Sequence, residues 1–88
     1  MGFFQKFFQT KRMNADPEQQ ALAELLIDHA EGPLVKIVVM NWLEEKGWPN
    51  SEAGDRLIHA LSMVKIARPD VYIAAKAAAH DIYVNELR

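Results

Sequence analysis

The sequence predicts an all-α protein: a compact bundle of four helices with a shorter helix before them. Proline and glycine divide the 88 residues into segments of helical length. Within those segments, apolar residues recur at intervals of three and four, which is the helical period. Half of the residues are hydrophobic and a quarter are charged, as in ordinary globular proteins. We therefore expect residues 1–88 to form a single helical domain.

The first twelve residues predict a short helix over about residues 3–12. On a helix, its four phenylalanines share one side and Lys6 lies opposite. These phenylalanines are Phe3, Phe4, Phe7 and Phe8. Lys6, Lys11 and Arg12 give residues 1–12 a net charge of +3, whereas residues 13–88 carry seven basic and twelve acidic side chains, a net charge of −5. This mobile or exchanged helix is expected to contact its own bundle, a second copy, a partner protein or a membrane surface.

A second helix is predicted over about residues 17–30. Asp16 suits the capping position, Pro17 suits the first turn, and Gly32 with Pro33 ends the helix. Its apolar stripe is Leu22, Leu25, Leu26 and His29. Glu24 and Asp28 lie four residues apart on this helix, so the basic first segment could relieve their mutual repulsion.

Residues 33–46 are predicted as the third helix. Several β-branched residues make a strand over residues 34–40 the alternative, because a short apolar run cannot be assigned by periodicity alone. Pro33 at the first turn and Gly47 after the last turn favour a helix, and no second strand is evident to pair with it. Since apolar residues nearly encircle this helix, we expect it to be the most buried element.

The last two helices are predicted over about residues 51–67 and 70–87, and Pro69 separates them. Asn50 or Ser51 is expected to cap the first of these helices. The final helix carries a core stripe made of Val71, Ala75, Ala78 and Ile82. It also carries a second apolar side, made of Ile73, Ala77, Val84 and Leu87. One small core cannot easily bury both sides, so either the other helices or a second chain should cover the second side.

The composition argues against most catalytic chemistry. The chain has no cysteine, which excludes disulfides and thiolate chemistry and favours a cytoplasmic location. The four glycines are scattered, and no phosphate-binding or hydrolase motif is present. Asp55 and His59 share a helix face, but two ligands do not make a metal site. We expect no enzyme activity, no cofactor and no metal.

Nucleic-acid binding is the lesser alternative. Two helices joined by a short turn, "KIARPDVYIAAKAAAH", superficially fit a helix-turn-helix. The second helix, however, offers Lys76 as its only cation, whereas a base-reading helix needs donors near its start. The acidic body of the chain is also a poor match to phosphates.

The leading hypothesis is a protein–protein interaction module that self-associates and acts as an adaptor or regulatory subunit. Its partner protein is unknown, and a homo-oligomer is expected. The candidate interface residues are Trp48, Ile66, Ile73, Val84 and Leu87. The alternative is a peripheral membrane protein that uses the phenylalanine-rich, basic first segment as its anchor.

Overall fold

The computed structural model describes residues 17–88, which form four α-helices and a terminal π-helical turn. The helices are α1 (Pro17–His29), α2 (Val35–Lys46), α3 (Asn50–Ala67) and α4 (Pro69–Ile82), and the π-helical turn covers Tyr83–Leu87. The all-α prediction is confirmed, and residues 34–40 form a turn and helix rather than a strand. The predicted helix at 3–12 and the capping residue Asp16 lie outside the described residues.

Most helix ends follow the glycine and proline positions. α2 ends at Gly47, which adopts a left-handed φ of 70° and donates its backbone N–H to the carbonyl oxygens of Leu43 and Glu44, each at 3.2 Å. α4 begins at Pro69, and Arg68 is the one residue between it and α3. These positions match the glycine and proline signals read from the sequence.

The predicted cap of α3 was wrong. Pro49 occupies the capping position instead of Asn50 or Ser51, and no side chain caps the helix. The carbonyl oxygen of Pro49 accepts a hydrogen bond from the Ala53 N–H at 2.9 Å. Because Pro49 already has an extended backbone, Asn50 can enter the first turn directly.

The centre of the bundle is α3, which packs against both α1 and α4. Its buried residues are Ala53, Gly54, Leu57, Ala60, Met63, Val64 and Ala67. The main core side chains contributed by the other helices are Leu22, Leu26, Val39, Leu43, Val71 and Ile82. Gly54 allows close approach of the Tyr83 ring, so the π-helical turn rests on the start of α3.

The prediction that α2 is the most buried element was wrong. Only Val39 and Leu43 of this helix are buried. Leu34, just before the helix, is 55% exposed, and Ile37 is 58% exposed. The physical reason is that α2 packs against α1 and α4 on one side, so the rest of its apolar circumference faces outward.

The π-helical turn changes which residues of the C-terminal segment face the core. Four residues after the buried Ile82, a regular α-helix would place Glu86 over the core. The π-helix has a wider turn with five-residue spacing, so Leu87 takes that place instead. Leu87 is consequently buried and Glu86 is exposed.

A polar contact that the apolar pattern did not predict joins α1 to α3. Gln19 is buried, and its Nε2 donates a 2.6 Å hydrogen bond to the backbone carbonyl oxygen of Arg56. A buried amide needs such a partner to offset the loss of water. Leu25 and His29 of the predicted stripe are only half-buried.

Candidate interaction surface

The outer side of α4 presents a continuous exposed stripe that we call the α4 seam: Ile73, Ala77, His80 and Val84. All four side chains are exposed, and Ile73 has 79% of its surface accessible to solvent. The spacing of four and three residues keeps Ile73, Ala77 and His80 on one side of α4. Val84 follows them in the π-helical turn and is also exposed. The opposite side carries the buried residues Val71, Ala75, Ala79 and Ile82.

Two exposed apolar residues at the start of α2, Leu34 in the turn before the helix and Ile37 in its first turn, lie near the end of α4; we call this pair the α2 patch. Lys36 of α2 links this patch to the C-terminal segment: its Nζ lies 3.4 Å from Asp81 Oδ2 and 3.1 Å from Glu86 Oε2. Its hydrogen bond to Glu86 is the main cause that raises the Lys36 pKa above the ordinary value. These ion pairs hold the start of α2 beside the end of α4, where Val84 is exposed.

Trp48, a predicted interface residue, is half-buried at the opposite end of α2. Its ring makes an edge-to-face contact with Trp42, with centroids 5.7 Å apart. The Arg56 guanidinium lies 4.3 Å from the Trp48 ring centroid, and Lys46 Nζ lies 4.9 Å from that of Trp42. Aromatic and cation–π contacts of this kind stabilise the α2–α3 connection.

The remaining predicted interface residues of the bundle occupy separate positions. Ile66 is exposed in the last turn of α3. Leu87 was expected on the second apolar side of the last helix, and this placement was wrong: Leu87 is 8% exposed and belongs to the core because of the π-helical turn. Ile73 and Val84 are thus both exposed, whereas Leu87 is buried.

The first-segment contact residues, Phe3, Phe4, Lys6, Phe7, Phe8, Lys11 and Arg12, lie outside the described residues. The acidic residues expected opposite them can be located: Glu24 is half-buried on α1 and Asp28 is exposed one turn later. Burial raises the pKa of Glu24, and the Asp28 charge raises it further. Contact of the first segment with a bundle, a partner or a membrane stays a prediction.

The structure also locates the groups that were weighed for nucleic-acid and metal binding. Arg68, between α3 and α4, makes a bidentate pair with Asp70 at 2.9 and 2.7 Å, and this hydrogen bonding lowers the Asp70 pKa. His59 Nδ1 lies 3.0 Å from the Asp55 carbonyl oxygen, so the ring engages the backbone of its own helix. Within residues 17–88, no group of three histidine, aspartate or glutamate side chains could hold a metal ion.

Two surface features were missed by sequence reasoning. The second apolar side predicted for the last helix did not include His80, although its spacing from Ile73 and Ala77 places it on the same side of α4. Leu34 and Ile37 were assigned to a buried helix, although a helix with apolar residues on every side must expose some of them in a domain this small. The spacing signal for both was present in the sequence.

Comparison with protein-family models, curated proteins and solved structures finds no match to this chain. None of the helices in residues 17–88 has the length and apolar character needed to cross a membrane.

Proposed function

We propose that this protein is a small, non-enzymatic helical interaction module of the cytoplasm that self-associates through the α4 seam and serves as an adaptor or regulatory subunit. The observation that carries the proposal is the exposure of Ile73, at 79%, on a regular stripe with Ala77, His80 and Val84. Single exposed apolar residues are common on protein surfaces, but a stripe at helical spacing is typical of helix pairing.

The stripe fits a second copy of itself. A spacing of four, three and four residues is the same in both directions along the helix. Two copies related by a twofold axis can therefore pair in antiparallel orientation, with Ile73 of each opposite Val84 of the other. Ala77 and His80 would then meet near the axis, where the small alanine permits close approach of the helices.

Charges near the seam are compatible with such pairing. Asp81 borders the seam, and its carboxylate is already paired with Lys36 and accepts a 2.5 Å hydrogen bond from Asn85. A second copy therefore does not have to neutralise this group. One helix pair buries little area, and interfaces below about 1,200 Å² are weak. We expect an association that depends on protein concentration, with the α2 patch adding contact area.

The test is a pair of matched substitutions. Ile73→Glu places a charge on the most exposed apolar residue of the α4 seam, whereas Ile58→Glu makes the same change at an exposed isoleucine of α3. Sedimentation velocity should show a dimer for the native chain and for Ile58→Glu, and a monomer for Ile73→Glu. Circular dichroism should give the same helix content for all three proteins. An Ile73→Glu protein that keeps the native mass contradicts the proposal.

A further inference from the structure

We propose that the outer face of α1 is the docking surface for residues 1–12 of the same chain, which return along α1 in antiparallel orientation. We define the α1 outer face as Glu18, Ala21, Leu25 and Asp28. This contact is independent of the α4 seam, because it involves the opposite end of the sequence and a different helix. It assigns the four phenylalanines to the protein itself rather than to a membrane.

The α1 outer face has the pattern of a helix-binding surface. Its residues are spaced by three, four and three positions, so they share one side of the helix. The two central side chains, Ala21 and Leu25, are apolar and half-buried, and the two end residues, Glu18 and Asp28, are exposed acids. Glu24 lies at the edge of this face. A short apolar centre bounded by negative charge suits an amphipathic segment with positive charge.

Chain connection makes residues 1–12 the nearest candidate occupant. Only residues 13–16 separate them from Pro17, and short connections between helices favour antiparallel neighbours. The helix predicted over residues 3–12 would be about 15 Å long, which fits within the length of about 20 Å for the thirteen residues of α1. Returning along α1, the segment brings Phe8 level with Ala21 and Phe4 level with Leu25.

The charges agree with this register. Lys11 shares a helix side with Phe4 and Phe8 and comes level with Glu18, which also pairs with Lys46 at 3.1 Å. The segment carries a net charge of +3 and no acid. Glu24 and Asp28 on α1 and Glu31 just beyond it add negative charge on that side of the fold, where Arg68 is the described cation that interacts with Asp28 and Glu31. Docking would relieve the repulsion that contributes to the raised Glu24 pKa.

Disulfide trapping tests the register, because the native chain contains no cysteine. The test variant is Phe8→Cys with Ala21→Cys. The control is Phe8→Cys with Glu45→Cys, since Glu45 is exposed at the same end of the bundle, beside the Lys46 that binds Glu18. Under mild oxidation, the test pair should form an internal disulfide several-fold faster than the control pair. Equal rates, or a faster control, overturn the register.

A non-reducing gel of the oxidised test variant shows whether residues 1–12 dock on their own chain or on a second copy. Docking within one chain gives a monomer of altered mobility on a non-reducing gel, whereas exchange between copies gives a covalent dimer. A dimer as the main product overturns same-chain docking, even if the α4 seam proves correct. The Ile73→Glu background separates the two proposals, because the internal disulfide should still form there.

Proteolysis provides a second readout without cysteine. Trypsin cuts after Lys6, Lys11 and Arg12, and a docked segment should resist it. Ala21→Arg places a cation at the centre of the α1 outer face and should speed these cuts several-fold, whereas Glu45→Arg should leave them unchanged. Equal cleavage rates in the native chain and the Ala21→Arg variant contradict the docking proposal.

Discussion

Replacement of Gly54 by alanine tests the close contact between α3 and the π-helical turn. A Cβ atom at residue 54 would lie 3.0 Å from Cε1 and 3.3 Å from Cδ1 of Tyr83. Favourable carbon–carbon contacts lie at about 3.5–4.0 Å, so the ring must move by about 0.5 Å. Overpacking of this kind costs about 1–3 kcal/mol. Alanine also favours the helix by about 1 kcal/mol relative to glycine.

Because these two effects oppose each other, the sign of the change in the free energy of unfolding caused by Gly54→Ala should depend on Tyr83. In the native background, Gly54→Ala should leave the free energy of unfolding unchanged or lower it by up to about 2 kcal/mol, the difference between the two terms. In a Tyr83→Ala background the contact is absent, so the same substitution should raise the free energy of unfolding by about 1 kcal/mol.

Urea unfolding of the four proteins in this double-mutant cycle measures both effects. The expected coupling between positions 54 and 83 is about 1–3 kcal/mol, equal to the overpacking cost. If Gly54→Ala stabilises the native protein and the Tyr83→Ala protein equally, the ring does not rest on α3 and the reasoning is refuted.

Three further predictions concern the core and two ionisable groups. Leu57→Ala, at a buried position, should lower the free energy of unfolding by about 2–5 kcal/mol, whereas Ile58→Ala, at the exposed neighbour, should change it by less than about 0.5 kcal/mol; similar losses in urea unfolding would contradict the α3 orientation. The hydrogen bond to Glu86 raises the Lys36 pKa above 10.5, so its stabilising effect should be present below that pH and lost above it. The melting temperature of Lys36→Gln should therefore fall less steeply with rising alkaline pH than that of the native protein. Equal slopes for the two proteins would count against the ion pair. Burial raises the Glu24 pKa above 4.5, so Glu24→Gln should raise the melting temperature at pH 7 and have little effect below pH 4; the reverse pH order would contradict the assigned burial.

The helices could be predicted from the sequence because their ends have local causes. Pro17 and Pro69 favour first turns, and Gly47 adopts the left-handed conformation that ends α2. The preference for a helix over residues 34–40 was correct in type, with Leu34 remaining in the turn before α2. Each of these features depends on a few neighbouring residues, which a single sequence contains.

The burial of each helix could not be read in the same way, because it depends on partners distant in sequence. Ile37 and Val39 are both β-branched and lie two residues apart, yet Val39 is buried and Ile37 is exposed. The π-helical turn moved Leu87 into the core by changing the helical spacing after Ile82. A prediction that assumes a constant α-helical period therefore cannot place Leu87 in the core.

The candidate site was partly predictable for a related reason. Ile73 and Val84 were placed together because both follow the α-helical period, and both are exposed in the structure, with Val84 in the π-helical turn after α4. Trp48 was expected at an interface because tryptophan is frequent in binding hot spots. Its contacts with Trp42 and Arg56 show a structural use of the ring within the bundle.

The measurement that tests the central claim most directly is the mass of the unaltered protein in solution as a function of its concentration. Self-association through the α4 seam predicts that the mass from sedimentation equilibrium rises from 10.0 kDa toward twice that value as concentration increases. A mass that stays at 10.0 kDa across the whole concentration range would contradict the claim.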